Sequence, residues 1–186
     1  MVEFAVVLPF LLLLIMGAIE FGFVFNSQIS LQYASREGAR VGSAMVNGGG
    51  TLGCGGGQSP LAASVDATII GSVNRVLTST GSPLKVDQVL EIRIFQATAS
   101  GGEVVGKVNV WLPTPGTGPI VDGRPLDFSQ SSVGWSACSR TYVQPADSIG
   151  VGVRYRYFLQ TPFLALSGIT TLTIYDRTIM AMNPTS

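Results

Sequence analysis

The sequence predicts an α+β protein: one long N-terminal helix, apolar and then amphipathic, followed by a head containing a short helix and an antiparallel β-sheet. Three observations carry this. From Phe4 to Ile19 no side chain is charged or polar. Over residues 26–46 polar residues enter, while Leu31, Ala34, Gly38, Val41 and Met45 keep the spacing of one helical face. Beyond residue 89 apolar and polar residues alternate with the period of two that a half-buried strand requires. The division this implies is a helix over 1–46 and a globular head over 47–186.

Counting from Phe4 to Phe25 gives 22 residues, about 33 Å of helix, close to the hydrocarbon thickness of a bilayer. A secretory signal peptide carries basic residues ahead of its apolar run and a small-residue cleavage site behind it. Here nothing basic precedes Phe4 and the run continues as FGFVFNSQ, so the segment is expected to be retained as an anchor. The basic flank usual for a cytoplasmic side is missing, which predicts a processed N-terminus. Glu3 then needs a cation, because a carboxylate beside lipid costs several kcal/mol unless it is paired, and an α-amino group is the nearest type available. Pro9 predicts a kink or a local melt, since it removes one hydrogen bond and clashes with the preceding turn. Gly17 reads as a flexible or close-packing point, although membrane helices tolerate both residues. Glu20, on the far side of the run, is expected at the interface.

The string VEFAVVLPFLLLLIMGAIEFG, followed by SREGAR at 35–40, resembles the opening of the TadE-like pilins, a branch of the type IV pilin superfamily. The resemblance is specific over residues 2–42 and weak beyond. It implies that a prepilin peptidase removes a short leader, that the subunits are held in membrane lipid before assembly, and that their N-terminal helices then stack into an extracellular filament by means of pilus assembly machinery. Glu3 falls on the superfamily's signature glutamate, for which the resemblance implies pairing with a neighbouring subunit's N-terminus. Glu3, Pro9, Gly17 and Glu20 are therefore the candidate assembly residues.

The small residues Ala34, Gly38 and Gly42 form a four-residue ladder that admits another backbone closely, and the head is expected to rest there. Arg36, Glu37 and Arg40 read either as a solvated face with one weak pair or as an inter-subunit contact. The helix must end at Asn47-Gly48-Gly49-Gly50. A second helix is predicted from Ser59-Pro60 to about Leu77, with Leu61, Val65, Ile69, Val73 and Val76 or Leu77 on one face. Residues 89–95 and 104–112 read as a hairpin turning at Ser100-Gly101-Gly102. Residues 113–146 read as a long surface excursion, and residues 149–158 and 170–182 as a second antiparallel pair.

Little in the chain points to chemistry. With no histidine, His-based triads and most zinc sites are excluded. The glycine-rich run at 48–57 lacks the ending of a phosphate-binding loop. Asp122 and Asp127 do not match the spacing of a calcium loop and read as a surface turn. Tyr155 and Tyr157 share a strand face, which favours core over an adhesive aromatic patch that would include Phe158. Eleven basic and eleven acidic residues in 186 leave no electrostatic footprint for nucleic acid. No cofactor, metal or catalytic residue is expected. Two cysteines in an extracytoplasmic head, Cys54 and Cys138, predict one disulfide, with free thiols or an inter-subunit link as the alternatives. The leading reading is thus a non-enzymatic structural pilin that polymerises with copies of itself into an adhesive filament. The alternatives are a minor assembly or priming protein that stays in the membrane, and a membrane-anchored binding module.

Overall fold

Helix α1 runs from Val2 to Ala44 without interruption. In this computed structural model the described residues are 2–45, 62–142, 145–161 and 168–182, the side chains of residues 2, 3, 5, 62 and 63 excepted. Pro9 lies inside the helix, and the melt expected there does not occur: one lost hydrogen bond is a small defect in a cooperative ladder of this length. The backbone N–H of Met45 reaches the carbonyl of Val41 at 3.1 Å and closes the last turn, two residues ahead of the predicted stop.

Helix α2, Ala62–Leu77, carries Val65, Ile69, Ile70, Val73 and Leu77 on one stripe, all buried. It packs on α1, and both helices lie on one face of a five-stranded antiparallel sheet. The sheet is built from β1 (Val89–Ala97), β2 (Glu103–Pro113), β5 (Phe128–Val133), β6 (Ser148–Phe158) and β7 (Thr171–Ala181), in the order β5-β2-β1-β6-β7. The predicted β1–β2 and β6–β7 pairs both form. They are halves of one sheet, because β1 also pairs with β6 through Ile92↔Val153 and Ile94↔Val151.

The excursion at 113–146 holds more structure than its composition suggests. Strands β3 (Ile120–Val121) and β4 (Arg124–Pro125) form a small hairpin. Its two-residue turn places Asp122 at φ 51° and Gly123 at φ 74°, the double positive-φ geometry that an Asp-Gly pair suits. β5 then pairs with β2 and becomes an outer strand. Behind it, a buried polar cluster ties four segments together. The Asn109 amide donates to Asp66 Oδ2 at 2.6 Å and to the Trp135 carbonyl at 2.7 Å, while its own oxygen accepts from the Gly134 and Trp135 backbone. Arg140 pairs with Asp66 at 2.6 Å and stacks over the Trp135 ring at 4.6 Å.

The core sits between the sheet and the two helices, and α1 contributes Leu31, Ala34 and Ala39 to it directly. The upper half of α1 is therefore a wall of the head. The opposite face of the sheet is open and carries a charge ladder: Arg154 to Glu91 at 3.1 Å, Glu91 to Arg93 at 3.6 Å, and Arg93 to Glu103 at 2.5 Å.

Candidate functional site: the apolar stalk and its junction with the head

Strand β6 runs antiparallel to α1, and the pairing of the two can be followed residue by residue. Near the top, a Cβ added to Gly42 would lie 2.8 Å from Ile149 Cδ1, and one added to Gly38 would lie 2.6 Å from Val73 Cγ2 and 3.0 Å from Val151 Cγ1. Only glycine admits the sheet and α2 this closely. Ala34, one step lower on the same ladder, is fully buried. Midway, the Ser35 hydroxyl donates to Asp176 and meets Thr178 Oγ1 at 2.9 Å, both on β7.

The lowest tie is Glu20. The residue is only 3% exposed. Oε1 accepts from the Tyr157 hydroxyl at 2.9 Å and from the Gln160 N–H at 3.1 Å; Oε2 accepts from the Thr161 N–H at 2.7 Å and again from Gln160. The charge is thus solvated by a phenol and two backbone amides leaving β6. Burial, together with the bond to Glu20, pushes the Tyr157 phenol well above its ordinary value. At the level where the interface is expected, the carboxylate is covered by the head. No sequence period could signal this, because the partner groups lie about 140 residues downstream and two of the donors are main-chain.

Below Glu20 the helix is bare. Phe4 is 68% and Phe10 70% exposed, and every described residue from Phe4 to Ile19 is open to its surroundings. Gly17 has nothing within 4 Å of an added Cβ, so its close-packing role is not used within one chain. Glu3 lies on the first turn of α1, and its side chain is outside the described residues. Cys54 is also outside them. Cys138 lies half-buried in the 3-10 turn Ala137–Ser139, and among the described residues no cysteine is free.

Arg40 forks onto Glu37 at 2.6 and 2.9 Å within the helix, an exposed local pair, while Arg36 is exposed beside it. Among the described residues no group of three or more acidic or cysteine side chains could hold a metal ion.

Among the described residues one apolar helix is long enough by length and composition to cross a bilayer; clasped over its upper half by an α+β head, it defines a stalk-and-head architecture suited to membrane anchoring. Residues 1–40 match the sequence model of the family described as TadE-like protein. That segment is TadE-like, as the resemblance over residues 2–42 implies, and it suggests a membrane-anchored protein associated with the Tad pilus. No curated protein and no solved structure matches the chain.

Proposed function

We propose that this protein is a non-enzymatic structural subunit which waits in the membrane on α1 and polymerises through that helix into an extracellular, type IV-like adhesive pilus. The observation that supports this reading most is the contrast along α1. Above Glu20 the helix packs into its own head along one side; below it, a run of large apolar side chains has no partner among the described residues. Each such side chain left in water forfeits about 1.5–3 kcal/mol, so departure from lipid requires an equally apolar replacement. Identical helices supply one. The partners are then copies of this chain, membrane lipid before assembly, and the prepilin peptidase and assembly machinery that the TadE-like segment implies.

Electron microscopy of the purified protein tests it. Long fibres from this polypeptide alone, with heads outside and helices inside, are the expected result. A protein that stays in the membrane fraction while fibres form from other subunits would instead make it an assembly or priming factor. No fibres under any condition, with a soluble ligand captured by the head, would make it an anchored binding module.

A further inference from the structure

Glu20 fixes the level on α1 at which the head begins. Below it lie the sixteen residues Phe4 to Ile19, about 24 Å of helix. A bilayer's hydrocarbon core is about 30 Å thick. The part of the anchor that is clear of the head is therefore about 6 Å shorter than that core, so the upper end of the apolar run, Phe21 to Phe25, lies level with the lower rim of the head.

That rim is apolar. Phe158 at the end of β6 is 42% exposed, Ile169 is 52% and Leu172 44%. An open groove of about 410 Å³ runs between α1 and the rim, lined mainly by Phe21, Val24, Leu159, Ile169 and Leu172, with Glu20 and Thr161 also in its wall. Phe21, Phe23 and Phe25 are also exposed on α1, carrying apolar surface past the Glu20 level. The outer face of β6 then changes character in steps of two residues: Phe158, Arg156, Arg154, spaced about 7 Å apart along the strand. Arg154 is engaged with Glu91 and the Tyr175 ring. Arg156 is exposed and has no carboxylate partner among the described residues. Its cross-strand neighbour on β7 is Thr173, and that of Phe158 is Thr171, so no acid opposes either residue across β7.

Apolar side chains at the bottom with a guanidinium one layer above reproduce the order of a bilayer from acyl boundary to phosphate. Resting on the membrane-anchored reading above, we propose that the lower rim of the head is itself a membrane-docking surface for anionic phospholipid. Phe158 and Ile169 enter the headgroup boundary, the groove beside Glu20 accepts acyl chain, and Arg156 binds lipid phosphate.

The test places the full chain in phosphatidylcholine bilayers with and without phosphatidylglycerol, using acyl chains brominated near the headgroup as quenchers. Trp111 and Trp135 are buried and give a constant background. In the rim reporter, Phe158→Trp, the new emission is expected to be quenched by roughly half, more strongly with phosphatidylglycerol. Adding Arg156→Gln should remove the dependence on lipid charge, and Arg156→Lys should keep it. A separate anchor reporter, Phe10→Trp, is read with deep-brominated lipid and follows the helix alone. If the anchor reporter is quenched and the rim reporter is not, the head stands clear of the bilayer and docking is wrong. Quenching of the rim reporter that ignores lipid charge, or survives Arg156→Gln unchanged, overturns the phosphate contact. Loss of rim quenching as protein density rises, with cross-linked dimers appearing, assigns the rim to a second copy and overturns docking on lipid. An unquenched anchor reporter overturns the anchored reading itself.

Discussion

The Tyr157 hydroxyl meets the Glu20 carboxylate at 2.9 Å, joining the last stalk-facing side chain of β6 to the helix at the level where the apolar run ends. Above this bond the head covers part of α1, although Phe21, Phe23 and Phe25 stay exposed; below it the described helix is bare. Glu20→Ala is expected to strand the Gln160 and Thr161 amides and the phenol, at a cost of about 2–4 kcal/mol, with Tyr157→Phe costing about 1–2. Urea unfolding in detergent and limited proteolysis near residue 160 read this out. An unchanged midpoint in Glu20→Ala would show the latch to be decorative.

The glycine ladder makes a contrasting pair. Gly38→Ala pushes a methyl into Val73 and Val151 and should cost about 1–3 kcal/mol. Gly17→Ala meets nothing within 4 Å and should leave the single chain no less stable, with a gain of up to about 1 kcal/mol from helix propensity. Any effect of Gly17→Ala on fibre yield would then belong to contacts between subunits.

Glu3 is expected to act between chains. Glu3→Gln removes its charge at nearly constant shape, so the subunit should fold and insert normally yet enter filaments far more slowly, because a shielded ion pair with an amino terminus is lost. Filament incorporation at the normal rate in a mixed assembly would remove Glu3 from the mechanism.

Acid should loosen the open face of the sheet. The hydrogen bond from Arg93 holds the Glu103 carboxyl below its ordinary value. A carboxyl depressed in the folded state contributes stability that is fully present above its unfolded pKa and is lost as pH falls through the folded one. Stability followed downward from neutral pH should therefore fall in the acid limb, below about 4.5, and Glu103→Gln should flatten that limb while lowering stability at neutral pH.

The Cys54–Cys138 bridge is expected within one chain. It would close about 85 residues, worth roughly 4.5 kcal/mol on chain-entropy grounds. Mass spectrometry without reductant decides between this bridge, two thiols, and a dimer that collapses on reduction.

How legible this was depended on what each element buries. α2 and β6 each present one regular apolar face to the core, so their periods announced them; Tyr155 and Tyr157 fell on the inner face and Arg154 and Arg156 on the outer, as alternation requires. β5 reads FSQSSV, and only Phe128 is buried. An outer strand held by main-chain pairing leaves almost no pattern to find. The Asp66–Asn109–Trp135–Arg140 cluster was equally invisible, because its members come from four segments and meet only once folded. The ladder of small residues on α1 could be seen in advance because Gly and Ala at a spacing of four have few other uses. The role of Glu20 could not, since an isolated acid carries no mark of which amides will meet it.

Because α1 passes from bare shaft to head wall without a break, the head has no swivel. Its azimuth is locked to the phase of the helix, so deleting one residue between Leu11 and Leu14 would withdraw the shaft by about 1.5 Å and turn everything above by about 100° relative to everything below. Four consecutive leucines make the shaft nearly indifferent to such a turn, whereas the glycine ladder and the Glu20 latch tolerate none. In a filament of the kind proposed, a change of length in the leucine segment would therefore alter the helical pitch between subunits while each head keeps one fixed seat.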